Sequence, residues 1–126
     1  MNEKQFISTI TGFITIAIKL NNKRLENGLG SLEIEVEDLD DEYFRKGLRF
    51  IIDGVDSKII DEIFSNYLSF EKDSYKNICM NMVKRTVLGI QEGLSNRDLF
   101  FILCSMTGLP LKEEEKVKSD LRKLLT

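Results

Sequence analysis

The sequence predicts an all-α domain: a compact bundle of about five to six helices, built around two helix–turn–helix hairpins and occupying residues 1–126 as one unit. Three observations lead there. Apolar residues recur at helical spacing along most of the chain, glycines fall at the boundaries between those stretches, and one turn motif occurs twice. A length of 126 residues with 42% hydrophobic residues suits a single core.

The first stretch places Phe6, Ile7, Ile10, Phe13, Ile14, Ala17, Ile18 and Leu20 on a broad helical stripe. Ile14, Ile16, Ile18 and Leu20 also alternate as a strand would, so a β reading competes there. Gly28 and Gly30 end the helix and mark a bend. Leu29, Leu32, Val36 and Leu39 then recur at helical intervals through the most acidic part of the chain. A short helix with a negative outer face, 33–42, is expected. Its carboxylates lack the ordered spacing of a calcium loop, and no metal site is expected.

The repeated motif appears when Gly54 is laid on Gly93. Asp53-Gly54-Val55-Asp56-Ser57-Lys58 then stands against Glu92-Gly93-Leu94-Ser95-Asn96-Arg97. Glycine supplies a left-handed C′ residue, the aliphatic side chain packs back on the helix just ended, and Asp56 or Ser95 caps the next helix. Asp98 stands where a capping box would place its reciprocal acid. Apolar helical stretches flank both motifs, which argues against β-hairpins. The two hairpins are expected to pack on each other and on the N-terminal helix. A last helix begins after Gly108 and Pro110, with Glu113, Glu114 and Glu115 early and Lys118, Arg122 and Lys123 late, as the helix dipole favours. Val117, Leu121, Leu124 and Leu125 form its apolar stripe.

Composition narrows the chemistry. Eighteen basic against 21 acidic side chains give a formal charge of −3, which provides no general drive toward nucleic acid or an anionic bilayer. The chain contains no histidine, which removes the usual acid–base, nucleophile-activating and zinc-ligand sets. No phosphate-binding loop, nucleophile elbow or paired-cysteine motif occurs, and the carboxylates at Asp53, Asp56, Glu92 and Asp98 fit helix ends. The expectation is a protein that is not an enzyme and needs no cofactor. Cys79 and Cys104 read as small buried hydrophobes in a reducing compartment. The apolar run Phe6 to Ile18 is shorter than the roughly 20 residues of a membrane span, and Met1–Gln5 does not resemble a signal-peptide leader. A cytoplasmic location is expected.

Two segments resemble the cytoplasmic parts of the flagellar stator protein MotA. Residues 24–64, with the turn Gly28-x-x-x-Leu32-Glu33, the acidic helix, Phe44 before an apolar helix, and Asp53-Gly54-x-Asp56, are similar to the family's stretch between its second and third membrane helices. Residues 83–103, with Gly89-Ile90-Gln91-Glu92-Gly93 and Asn96-Arg97, are similar to the tail after the fourth. In the family a pair of membrane helices separates these pieces; here residues 65–82, which include Glu71, Lys72, Asp73 and Lys76, join them directly. The resemblance therefore implies a MotA-like body that does not conduct ions and acts through protein partners at or near the motor, such as a rotor switch or stator component. The family's rotor-facing acid falls on Glu33. Its basic partner falls on Leu25, which leaves Lys23 and Arg24 as the nearest substitutes. Lys23, Arg24, Glu33 and Glu37 are the candidate partner-binding residues. The rival expectation is a helical adaptor unrelated to motility, using an apolar groove between the hairpins.

Overall fold

The computed structural model describes all residues, 1–126, and is helical throughout. Seven α-helices follow in order: α1 Glu3–Asn27, α2 Glu33–Val36, α3 Glu42–Ile52, α4 Ser57–Phe70, α5 Ser74–Glu92, α6 Asn96–Ser105 and α7 Leu111–Leu121. Two 3-10 turns, Leu29–Leu32 and Arg122–Leu125, complete the chain. The helix number exceeds the five to six expected, and the acidic stretch 33–42, expected as one helix, is a single α-turn followed by a loop.

Residues 14–20 lie within α1, which excludes the competing strand. The buried stripe of α1 runs Phe6, Ile10, Ile14, Ala17, Ile18 and Leu20, and its next helical position is a polar residue, Asn21, also fully buried. The helix starts on a reciprocal cap: Asn2 Oδ1 accepts from the Gln5 N–H at 2.8 Å, and Gln5 Oε1 accepts from the Asn2 N–H at 2.9 Å.

Both repeated turns have the expected backbone. Gly54 and Gly93 take φ of 79° and 77°. The N–H groups of Val55 and Leu94 reach back to Phe50 O at 2.9 Å and Gly89 O at 3.0 Å, closing Schellman-type ends. Asp56 accepts from the Lys58 N–H at 2.8 Å and Ser95 from the Asp98 N–H at 3.1 Å. Only the serine half of the Ser95–Asp98 box forms, since aspartate is a methylene shorter than the usual glutamate.

Packing around those turns differs from two hairpins stacked on each other. Helices α3 and α4 each touch α5 more extensively than they touch one another, whereas α6 packs most on α1 and also on α5 and α7. Two clusters result. Leu32, Val36, Phe44, Leu48, Ile60 and Phe64 close on Val83 and Val87 in the first. Ile10, Ile14 and Met82 close on Phe100, Leu103 and Val117 in the second. Helix α5 serves both, offering Val83 and Val87 to one and Met82 to the other. The approach of α3 to α5 depends on Gly47, where an added Cβ would stand 2.5 Å from Val87 Cγ2 and 3.2 Å from Phe64 Cζ. Hydrophobic burial decided this arrangement: a helix that is apolar on two faces must be covered on both.

Candidate interaction surface

The end of α1, the 3-10 turn, α2 and the start of α3 form one continuous edge of the molecule, because Gly28 turns the chain back so that Leu32 and Val36 enter the first cluster. The outward positions of that edge carry its charges. Lys23 Nζ meets Glu35 Oε1 at 2.6 Å, and the Arg49 guanidinium pairs with Glu37. Arg45 Nη1 donates to the Leu39 carbonyl at 3.0 Å, and Asp41 caps α3 by accepting from the Phe44 N–H at 2.9 Å. These ion pairs are partly or fully exposed and each contributes little to stability. The acidic segment is anchored instead by burial of Leu32, Val36 and Leu39 in the first cluster.

The four sequence candidates have different surroundings. Glu33 is exposed and has no ion pair or side-chain hydrogen bond, so its charge is free for a partner. Glu37 and Lys23 are engaged in the pairs just given. Arg24 turns inward: its Nε donates to Ile90 O at 2.8 Å and its Nη2 to Gln91 O at 3.5 Å, placing a cation on the C-terminal carbonyls of α5. Ile34 was not singled out by the sequence pattern. It follows Glu33 and is 73% exposed, giving the acidic face an apolar contact point.

A polar cluster that periodicity did not reveal fixes this edge to the Gly93 turn. Asn21 Nδ2 donates to Leu94 O at 3.0 Å and to Asn96 Oδ1 at 2.9 Å, and Asn96 Nδ2 donates to Asn22 Oδ1 at 2.9 Å. Gln91 Nε2 donates to Val55 O at 2.7 Å, tying the two glycine turns together. The signal for Asn21 was its register: it continues the buried stripe of α1 at a position where an apolar residue would be expected.

Beside those turns lies a polar cleft of about 610 Å³, bordered by Val55, Lys58, Asp61, Arg85, Gln91 and Glu92. Its charges are largely matched: Lys84 pairs with Asp61 at 2.7 Å and Arg85 with Glu92 at 3.0 Å. No group of three or more cysteines and carboxylates is placed to hold a metal ion. The chemistry of the edge is that of charge presentation on a rigid frame.

Comparison with known proteins gives a consistent signal over part of the chain. A Motility protein A from Treponema phagedenis is 39% identical over 56 residues, covering 44% of this chain and 22% of that protein. One from Treponema pallidum is 38% identical over 56 residues, again 44% and 22%. A third, from Borreliella burgdorferi, is 38% identical over 47 residues, 37% and 18%. The chain thus spans about a fifth of the length of the curated relatives it matches. No family model matches the chain, and no solved structure matches it.

Proposed function

We propose that this MotA-like chain is a motility accessory or regulator that works by protein–protein contact at or near the flagellar motor, without enzymatic activity. The observation that carries this reading is the similarity to three Motility protein A sequences. No helix is long and apolar enough to cross a membrane, which supports a role in which these residues do not conduct ions. The working location is then the cytoplasmic side of the inner membrane, and the partner is a rotor switch or stator component.

In this reading Glu33 is the principal contact. It lies where the MotA resemblance puts a rotor-facing acid, and its carboxylate is uncommitted. Lys23 and Glu37 contribute through the fields of their pairs, and Arg24 supports the edge from behind. Association driven by such exposed charge should be salt-sensitive. Affinity capture from a lysate of a flagellated host should recover rotor or stator components, and Glu33→Lys should reduce that recovery roughly several-fold, with a smaller loss at high salt. Capture of unrelated proteins only, with Glu33→Lys indistinguishable from the parent, would replace this reading with the adaptor.

A further inference from the structure

An apolar groove runs between the N-terminal half of α1 and the loop that joins α2 to α3. Its volume is about 360 Å³, with Phe13, Ile16, Leu39, Phe44 and Val83 among its walls. At Thr9, Asp41 and Cys79 it meets a second depression of about 430 Å³ that extends toward Tyr43 and Met80. Ile16 and Tyr43 remain 43% and 41% exposed along this path.

Two independent features indicate what the groove accepts. The first is charge. Asp38, Asp40 and Asp41 stand on one bank and Glu71 lies farther along, while Lys76 is the only lysine or arginine side chain on the lining. None of these five takes part in the ion pairs of the chain. The negative field reaches the groove floor: the half-buried Cys79 thiol is pushed up by burial and by the charges of Asp41 and Asp73. The second feature is Gly12. A glycine within a helix weakens it relative to alanine, and here nothing lies within 4 Å of where its Cβ would be. No neighbouring element needs the space. The open position lies in the groove wall, where it leaves room for an incoming side chain.

We propose that this groove docks a basic segment of a partner protein, with a large apolar side chain seated over Gly12 and lysine or arginine side chains facing Asp38, Asp40 and Asp41. A second copy of this acidic chain would bring like charge to the same bank, and an anionic lipid surface would be repelled by it. The inference goes beyond the motor reading and does not depend on it, since it rests on the groove and its charges rather than on Glu33.

The test uses the full chain and a fluorescent synthetic peptide that alternates lysine and arginine with leucine and phenylalanine. Two control peptides replace its bases by glutamate or its apolar residues by serine. The basic apolar peptide should bind with salt-sensitive affinity and the controls at least tenfold more weakly. Bound peptide should slow alkylation of Cys79, while Cys104 is buried and its thiol pushed up to about 11, so it gives little background. Gly12→Leu and Asp40→Lys should each lower the affinity at least tenfold. Gly12→Ala serves as the folding control, with a melting temperature equal to or above the parent's. The proposal is overturned if the basic peptide does not bind, if the glutamate peptide binds equally, or if Gly12→Leu and Asp40→Lys bind as the parent does. It is also overturned if Cys79 protection rises with protein concentration alone alongside a sedimentation shift, which would identify a second copy as the occupant, or if anionic vesicles protect Cys79 where the peptide does not. Loss of motor capture with peptide binding intact would remove the motor reading alone.

Discussion

Glycine serves two purposes in this chain, and substitution separates them. At Gly93 the backbone is left-handed, so Gly93→Val should destabilise by about 1 kcal/mol or more, whereas Gly93→Asn should cost less because asparagine tolerates that region. At Gly47 the backbone is ordinary and the constraint is space, with Val87 Cγ2 2.5 Å from the missing Cβ. Gly47→Ala should therefore cost about 1–3 kcal/mol through overpacking. Urea unfolding of the three variants orders them. The left-handed pair was legible beforehand because acid-Gly-aliphatic-cap is a local motif. Gly47 was not, since its reason lies on two other helices. The same distinction applies to the candidate site: Glu33 and Glu37 read correctly as outward charges, but the inward turn of Arg24 depends on carbonyls that lie far away in sequence.

Among the elements, α5 packs against α1, α3, α4 and α6, and its start illustrates how a single cap is linked to pH. Asp73 accepts from the Lys76 N–H at 2.9 Å, and that bond holds its carboxyl below the ordinary 3.8. A folded-state value below the unfolded one means the contribution is complete above about pH 4 and disappears as the pH falls through the folded value. Asp73→Asn keeps a capping side chain but removes the titration. Its stability should decline less steeply on acidification than the parent's, measured by thermal melts between pH 5 and pH 2. Helices α1, α3, α4, α5, α6 and α7 each correspond to an apolar stripe visible in the sequence, and all of these but α7 start at a residue whose side chain caps the first turn. The 33–42 stretch did not resolve as one helix, because the carboxylates after Val36 favour a loop over continuation and Asp41 is better used as the cap of α3. The Asn2–Gln5 cap was missed although its spacing is that of a capping box.

Across the molecule, the two clusters share α1 and α5, so neither can be dismantled without exposing a face of a helix that the other needs. Leu48→Ala in the first and Leu103→Ala in the second, both fully buried, should each cost about 2–5 kcal/mol. Both should shift one calorimetric transition rather than split it, and a second resolved peak in either variant would show that the clusters unfold separately. Which helices meet was the least legible level. Stripe patterns specify that a face is buried and leave its partner open, and the sequence motif suggested two hairpins face to face where α5 instead lies between α3–α4 and α6.

The hydrogen bond from Gln91 to the Val55 carbonyl adds a mechanical corollary. Val55 and Leu94 are each committed to the chain end just before them, so the amide of Gln91 is a strut between two elbows that have little slack of their own. A tug applied at the edge carrying Glu33 reaches α5 through Arg24, one residue before that strut. The acidic margin and both bends thus meet at the last turn of α5, joined there by the side chains of Arg24 and Gln91.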